Sequence, residues 1–307
     1  MPLAPATWGG DGRGKAGEPV MTLARTDPAR ATAAGEALPE PGAANPFDVA
    51  MTLADRDVPA MVAAALRTDN LRLAFQPSVY SADPSIIGFY EGYIRLLDPQ
   101  GRIIPARDFL AIAETSELGR EIDLAALRLG LDALRENPQV RIAVNMSARS
   151  IGYGPWATLL RGALRREPGI GRRLILEIGE DSAMQMPDVL MPFMAALRPC
   201  GIAFTLDDFG AGPTSLRLLH DYRFDIAKID GELVRNCHRS RTRQSILRAA
   251  IALAQEFGMF VTAESVETAE EAAWLRDHGV GCLQGYLFGH PVVAPDFSRF
   301  RHGREPD

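Results

Sequence analysis

Two adjacent carboxylates, Asp207 and Asp208, follow an apolar run from Ile202 to Leu206 and lead into the turn Phe209-Gly210-Ala211-Gly212. An apolar run of strand length can be buried on both faces of a parallel sheet, but paired carboxylates share that burial only where a cation or a donor neutralises them. The acids therefore belong at the mouth of a strand. There, a chain bent through Gly210 and Gly212 can turn both side chains toward one point. Hard oxygen ligands side by side suit Mg²⁺ or Mn²⁺ better than zinc. The same stretch also reads as a helix N-terminus, where the dipole favours acids ahead of Ser215. Its weight depends on what else recurs at equivalent places. Glu91, Asn145, Glu177, Lys228, Glu264 and Gln284 each lie at or near the end of another strand-like run. Any one of them alone is a cap, a turn residue or a surface ion pair. Five carboxylates brought to one strand end would repel strongly without cations, which favours a functional centre over six coincidences.

The elements that must hold these residues follow from pattern. Leu71 to Tyr80 and Ile86 to Leu96 are strand-like runs separated by Ser81-Ala82-Asp83-Pro84-Ser85, a turn too short for a crossover helix, so the two strands are expected antiparallel. Further strands are expected at Arg141 to Val144, Leu174 to Leu176, Ile202 to Leu206, Asp225 to Ile229, Met259 to Ala263 and Val280 to Leu283. Helices are expected at Asp57 to Arg67, Pro105 to Glu114, Leu118 to Glu136, Trp156 to Leu164, Asp188 to Leu197, Arg239 to Phe257 and Thr268 to His278. Eight strands with interleaved helices give a (β/α)8 barrel of TIM type with an antiparallel first strand. In such barrels chemistry collects at the C-terminal strand ends.

With 307 residues, 47% hydrophobic and 23% charged, the chain can bury one large core. Its formal charge of -6 argues against DNA as a partner. Cys200, Cys237 and Cys282 are widely spaced, which suggests neither a zinc site nor a disulfide framework and fits a reducing cytoplasm. No apolar run approaches the roughly 20 residues of a membrane span, and the first residues lack the order of a secretion signal, so no membrane insertion is expected. Residues 1–45 are rich in Ala, Gly and Pro and are expected to be a disordered tail, a candidate contact for a protein partner. The folded domain is expected over 57–297, with a C-terminal tail over 298–307.

Between Arg67 and Pro291 the chain resembles the EAL family of cyclic di-GMP phosphodiesterases. The resemblance rests on Gln76-Pro77, Glu91 with Arg95, Val144-Asn145-Met146-Ser147, Glu177-Ile178-Gly179-Glu180, Asp207-Asp208-Phe209-Gly210, Lys228-Ile229-Asp230, Glu264-Ser265-Val266-Glu267 and Gln284-Gly285-Tyr286. It implies a barrel whose first strand is antiparallel to the rest, and two Mg²⁺ or Mn²⁺ ions used to hydrolyse cyclic di-GMP to linear pGpG. It assigns metal binding to Glu91, Asn145, Glu177, Asp207 and Asp208, with Glu264 as a metal partner or proton acceptor. Lys228 becomes a catalytic cation beside Asp208 and Glu264. Gln76, Arg95 and Gln284 become ligand-binding residues, and Glu180 and Glu267 become loop anchors. A homodimer is also implied. The chain departs from the family where Gly92-Tyr93 replaces Ala-Leu, where Ser265 replaces Gly, and in the loop 211–214, where Ala211, Pro213 and Thr214 replace Thr, Tyr and Ser around the shared Gly212. The alternative to an enzyme is a cyclic di-GMP receptor with little or no turnover, acting through protein contacts.

Deleting residues 1–45 is expected to leave the melting temperature and the ligand affinity nearly unchanged, because the segment offers little apolar surface to bury. A calorimetric drop of several degrees would show instead that it packs on the domain.

Overall fold

A computed structural model of the chain describes residues 58–97, 101, 103–105, 109, 116–212 and 214–300. The tail expected over 1–45, and most of the helix expected from Pro105 to Glu114, lie outside the described residues. Pro105 itself ends a short strand.

Helix α1 covers residues 58–67 and leads into β1 (Leu71–Tyr80), whose buried positions face a helix on one side and the barrel interior on the other. β1 turns back through residues 81–86 into β2 (Ile87–Leu97), antiparallel and in the register Gln76 opposite Glu91. β3 (Ile103–Pro105) adds antiparallel to the outer end of β2. The parallel strands follow in order: β4 (Ile142–Asn145), β5 (Leu174–Gly179), β6 (Ala203–Phe209), β7 (Ile226–Ile229), β8 (Phe260–Ala263) and β9 (Cys282–Gln284). β2 pairs with β4, and β9 returns to β1 antiparallel, closing an eight-strand barrel with β3 outside it. The antiparallel first strand expected from the short turn is therefore the seam on which the barrel closes.

The helices pack on the outer surface because their sequences carry one apolar stripe each. In α2 (Glu117–Glu136), Ser116 caps the start by accepting from the Leu118 amide, and Ile122, Ala126, Leu127, Leu131 and Leu134 form the buried stripe. It stops at Asn137, which precedes Pro138 and is thereby pushed out of the helical region. Later helices are α3 (Gly154–Arg166), α4 (Glu180–Gln185), α5 (Pro187–Leu197), α6 (Leu216–Asp221), α7 (Gly231–Val234), α8 (Arg241–Glu256) and α9 (Ala269–Asp277). None of the described helices is long and apolar enough to cross a membrane. The domain end expected at 297 falls inside packed chain: Phe297–Arg299 forms a short 3-10 turn and Phe300 is buried beside Tyr90.

Inside the barrel, Phe89, Ala143, Ile175 and Ile226 form a small apolar plug with Ala203 at its edge. Side chains repeat on one face every two residues of a strand. The next inward positions toward the C-terminal end are therefore Glu91, Asn145, Glu177 and Lys228. The plug is thus a dry floor under a polar layer. β6 differs from expectation, because it continues through Asp207 and Asp208 to Phe209, with its register against β7 shifted between Leu206 and Phe209.

Gly130 lies where α2 crosses β4, and a Cβ there would come within 2.6 Å of Val144 Cγ2. Gly130→Leu is expected to push the helix off the strand that ends in Asn145, lowering stability by about 1–3 kcal/mol. An unchanged urea midpoint would show that the contact is not this close in solution.

Candidate active site

The polar layer is centred on Lys228. Its Nζ lies 2.7 Å from Glu91 Oε2, 3.1 Å from Asp207 Oδ1, and 3.5 Å from both Glu177 Oε2 and Glu264 Oε2. Lys228, Glu91 and Glu177 are each about 1% exposed. Asn145 donates its amide N–H to Glu91 Oε1 at 2.8 Å, which leaves the amide oxygen as the atom open to a cation. Gln284 donates to Glu91 Oε2 at 2.7 Å and approaches Gln76 Oε1 at 3.3 Å, while Gln76 holds the Gly289 carbonyl at 2.8 Å. Asn145 and Gln284 end their strands, Lys228 nearly ends β7 and Glu264 directly follows β8, whereas Gln76 and Glu91 lie midway along β1 and β2, opposite one another, against the strand-end place expected for Glu91.

The carboxylates fall into two clusters. Glu91, Glu177 and Asp207 form one, and Asp208, Asp230 and Glu264 form the other, with the ligand oxygens of each set within 4.8 Å of one another. Asp207 and Asp208, expected to share one point, are divided between them. The device is Asp208 itself, at φ 55, together with the register shift in β6, rather than the glycines alone. A left-handed residue inside a strand turns the second acid away from the strict alternation. Asp230, the last residue of the Lys228-Ile229-Asp230 motif, joins the second cluster although the family resemblance assigns it no role. The readable signal was its spacing two residues beyond Lys228, which returns it to the same side of the chain. Asp230 also caps α7, accepting from the Glu232 amide at 2.9 Å.

Burial raises the titration of most of these acids, and their mutual repulsion adds to it. Glu177 and Asp207 are pushed up by burial and by the charge of Glu91, against the pull of Lys228. Asp208 rises to about 6 by burial and the neighbouring Asp207, and Glu264 to about 7 by burial with Asp207 and Glu91 beside it. Glu91 goes the other way: burial opposes its charge, but Lys228 and Asn145 bring it down to about 2. Lys228 is disfavoured by burial yet held well above its ordinary range by Asp207, Glu177 and Glu91. Among the described residues, buried Glu177 Oε1 has no hydrogen-bond partner. An all-oxygen donor set with such an orphaned atom fits hard divalent cations.

Loops are fixed from behind. Glu180 accepts from the amides of Gly210 and Gly212 at 3.1 and 3.2 Å and from the Thr214 hydroxyl, so it tethers the loop after Asp208. Pro213 lies outside the described residues. Glu267, expected as a second anchor, is exposed and lines a groove. Glu271 does the anchoring at that corner, accepting from the amides of Asn236, Glu267 and Thr268. The third helical position lets its carboxylate reach back to the cap, forming a capping box with Thr268. Asp123, also unread in the sequence, accepts from the Ser147 amide and the Ser150 hydroxyl and so holds the loop after Asn145. Beside the clusters runs an open cleft of about 240 Å³ that includes Gln76, Arg95, Glu264, Gln284 and Tyr286. Enclosed ligand sites span about 300–1,000 Å³, so a ligand here would lie along the surface of the barrel mouth.

The sequence profile of the EAL domain matches residues 60–291. Among curated relatives, the cyclic di-GMP phosphodiesterase NbdA of Pseudomonas aeruginosa is 33% identical over 242 residues, covering 77% of this chain and 31% of that protein. The chain thus spans about a third of that relative's length. Among solved structures, the PaMucR phosphodiesterase in complex with c-di-GMP superposes with a TM-score of 0.68 at 29% identity, covering 78% of this chain and 98% of that one. The manganese and c-di-GMP complex of Klebsiella pneumoniae BlrP1 superposes with a TM-score of 0.63 at 30% identity, covering 73% of this chain and 56% of that one.

Ser265 sits at φ 57, and its side chain occupies the space a Cβ at Gly231 would need. Ser265→Gly is expected to stabilise the protein by up to about 1 kcal/mol by removing left-handed strain; a fall in melting temperature would show that the serine side chain is needed there. Glu271 is held below its ordinary value of 4.5, its three backbone donors outweighing burial. A lowered folded value stabilises above the unfolded value and is lost as pH falls through the folded one. Glu271→Gln should therefore cost stability at pH 7, with the gap to the unmodified protein narrowing below pH 4.5. A gap independent of pH would contradict the assignment.

Proposed function

Since the chain belongs to the EAL domain family, we propose that it hydrolyses one phosphodiester of cyclic di-GMP to linear pGpG with the help of two Mg²⁺ or Mn²⁺ ions. The observation that carries this reading is the pair of oxygen clusters flanking one buried ammonium. Glu91, Asn145, Glu177 and Asp207 would hold one ion, and Asp208, Asp230 and Glu264 the other. When bound, such ions lower the pKa of water and neutralise phosphate charge.

The chain's own residues supply the rest. Lys228 presents a permanent positive charge toward the anion that develops at phosphorus. Glu264 is the carboxylate beside Lys228 at 3.5 Å on the open side of the layer, placed to hold an ion or to accept a proton from a bound water. Gln284 and Asn145 fix the orientation of Glu91, and Glu180 fixes the loop that carries Asp208. The reading also places the protein in a reducing cytoplasm, where its three cysteines stay free. A receptor that binds without turnover is the second reading, favoured by the changed residues at 211–214. The tether from Glu180 to Gly210, Gly212 and Thr214 weighs toward the enzyme, since the loop is held despite those changes.

The test is incubation of the purified protein with Mg²⁺ or Mn²⁺ and cyclic di-GMP, with chromatography for pGpG. Glu91→Gln and Asp207→Asn are expected to cut turnover by on the order of 100-fold or more while circular dichroism stays unchanged. Turnover at the unmodified rate in either variant would overturn the ligand assignment, and binding without product in the unmodified protein would favour the receptor.

A further inference from the structure

Tyr93 follows Glu91 by two residues on β2 and so points to the same side of the strand. It lines the cleft with Gln76, Arg95, Glu264 and Gln284. Its phenol oxygen lies 2.9 Å from Gln284 Nε2. The direction of that hydrogen bond is fixed by chemistry. Gln284 Nε2 also lies 2.7 Å from Glu91 Oε2, the oxygen that receives the Lys228 ammonium. An ionised carboxylate only accepts, so the amide must present its N–H side to Glu91, and turning it over would oppose two acceptor oxygens. Gln284 therefore donates to Tyr93. The phenol's own proton is left to point elsewhere, and among the described residues it is donated to no acceptor.

The ring has a second neighbour. The guanidinium carbon of Arg95 lies 5.5 Å from the Tyr93 ring centroid, within cation–π range. Arg95 lines the same cleft. One aromatic side chain thus offers a directed O–H and steadies a guanidinium beside it. A leucine at this position, as the family signature has, can do neither. Two donors of this kind converge best on an acceptor-only group such as a phosphate oxygen.

We propose that Tyr93 contacts the ligand directly in this protein, donating its O–H to a phosphate oxygen of the bound dinucleotide while its ring holds Arg95 against the same phosphate. This rests on the reading of the cleft as a cyclic di-GMP site. It makes Tyr93 a determinant of affinity that replaces an apolar residue of the signature.

Isothermal titration with cyclic di-GMP in Ca²⁺, with chromatography to confirm that the ligand stays intact, separates the parts. Tyr93→Phe keeps the ring and removes the hydroxyl, and is expected to weaken binding about tenfold. Tyr93→Leu removes both and is expected to weaken it further, the extra loss vanishing in an Arg95→Ala background. Both variants should melt like the unmodified protein. Affinity of Tyr93→Phe within twofold of the unmodified protein would overturn the hydroxyl contact, including the case where only Tyr93→Leu is impaired, which would mean base stacking. An extra loss that persists without Arg95 would overturn the shared phosphate. No binding by the unmodified protein would overturn the functional reading itself, and the inference with it.

Discussion

The Lys228 ammonium lies in the barrel interior within 3.5 Å of Glu91, Glu177, Asp207 and Glu264, and only its closest partner, Glu91, is held firmly ionised. Removing an ion from water costs several kcal/mol unless partners replace the lost solvation. One ammonium cannot do that for four carboxylates. Counting both clusters, six carboxylates face one lysine, leaving five negative charges if all ionise. The raised titration of Glu177, Asp207, Asp208 and Glu264 records that imbalance. Two divalent ions would reduce it to a single charge, which is the physical argument for reading the donor set as a cation site.

The scaffold around this centre works against its repulsion by geometry. The apolar plug of Phe89, Ala143, Ile175 and Ile226 closes the barrel below, so charge is displaced toward the open mouth. Asp208 and Ser265 adopt left-handed backbone that ordinary residues avoid, a local strain of order 1–3 kcal/mol at functional sites. Such strain persists only where neighbours over-determine it. Here Glu180 ties the loop after Asp208, and Glu271 bridges the corner near Asn236 to the turn at Glu267 and Thr268.

Much of this was legible from residue order. All eight barrel strands and the antiparallel seam followed from apolar runs and one short turn, because strand burial leaves a direct trace in sequence. The gathering of Asn145, Glu177, Lys228, Glu264 and Gln284 followed from their places at or near strand ends, whereas Glu91 reaches the same layer from midway along the long strand β2. What was not legible depends on backbone dihedrals and long-range contacts. The split of Asp207 from Asp208 comes from φ at one residue, which composition does not encode. Asp230 was hidden by its second role as a helix cap. Glu267 was credited with anchoring that Glu271 performs, because only the structure shows which of two nearby glutamates turns inward.

The central claim, that two separate oxygen clusters each hold a divalent ion, is tested most directly by anomalous diffraction from crystals grown with Mn²⁺ and cyclic di-GMP. The account predicts two anomalous peaks per chain, one among Glu91, Glu177 and Asp207 and one among Asp208, Asp230 and Glu264. A single peak, or peaks lying away from these carboxylates, would contradict it.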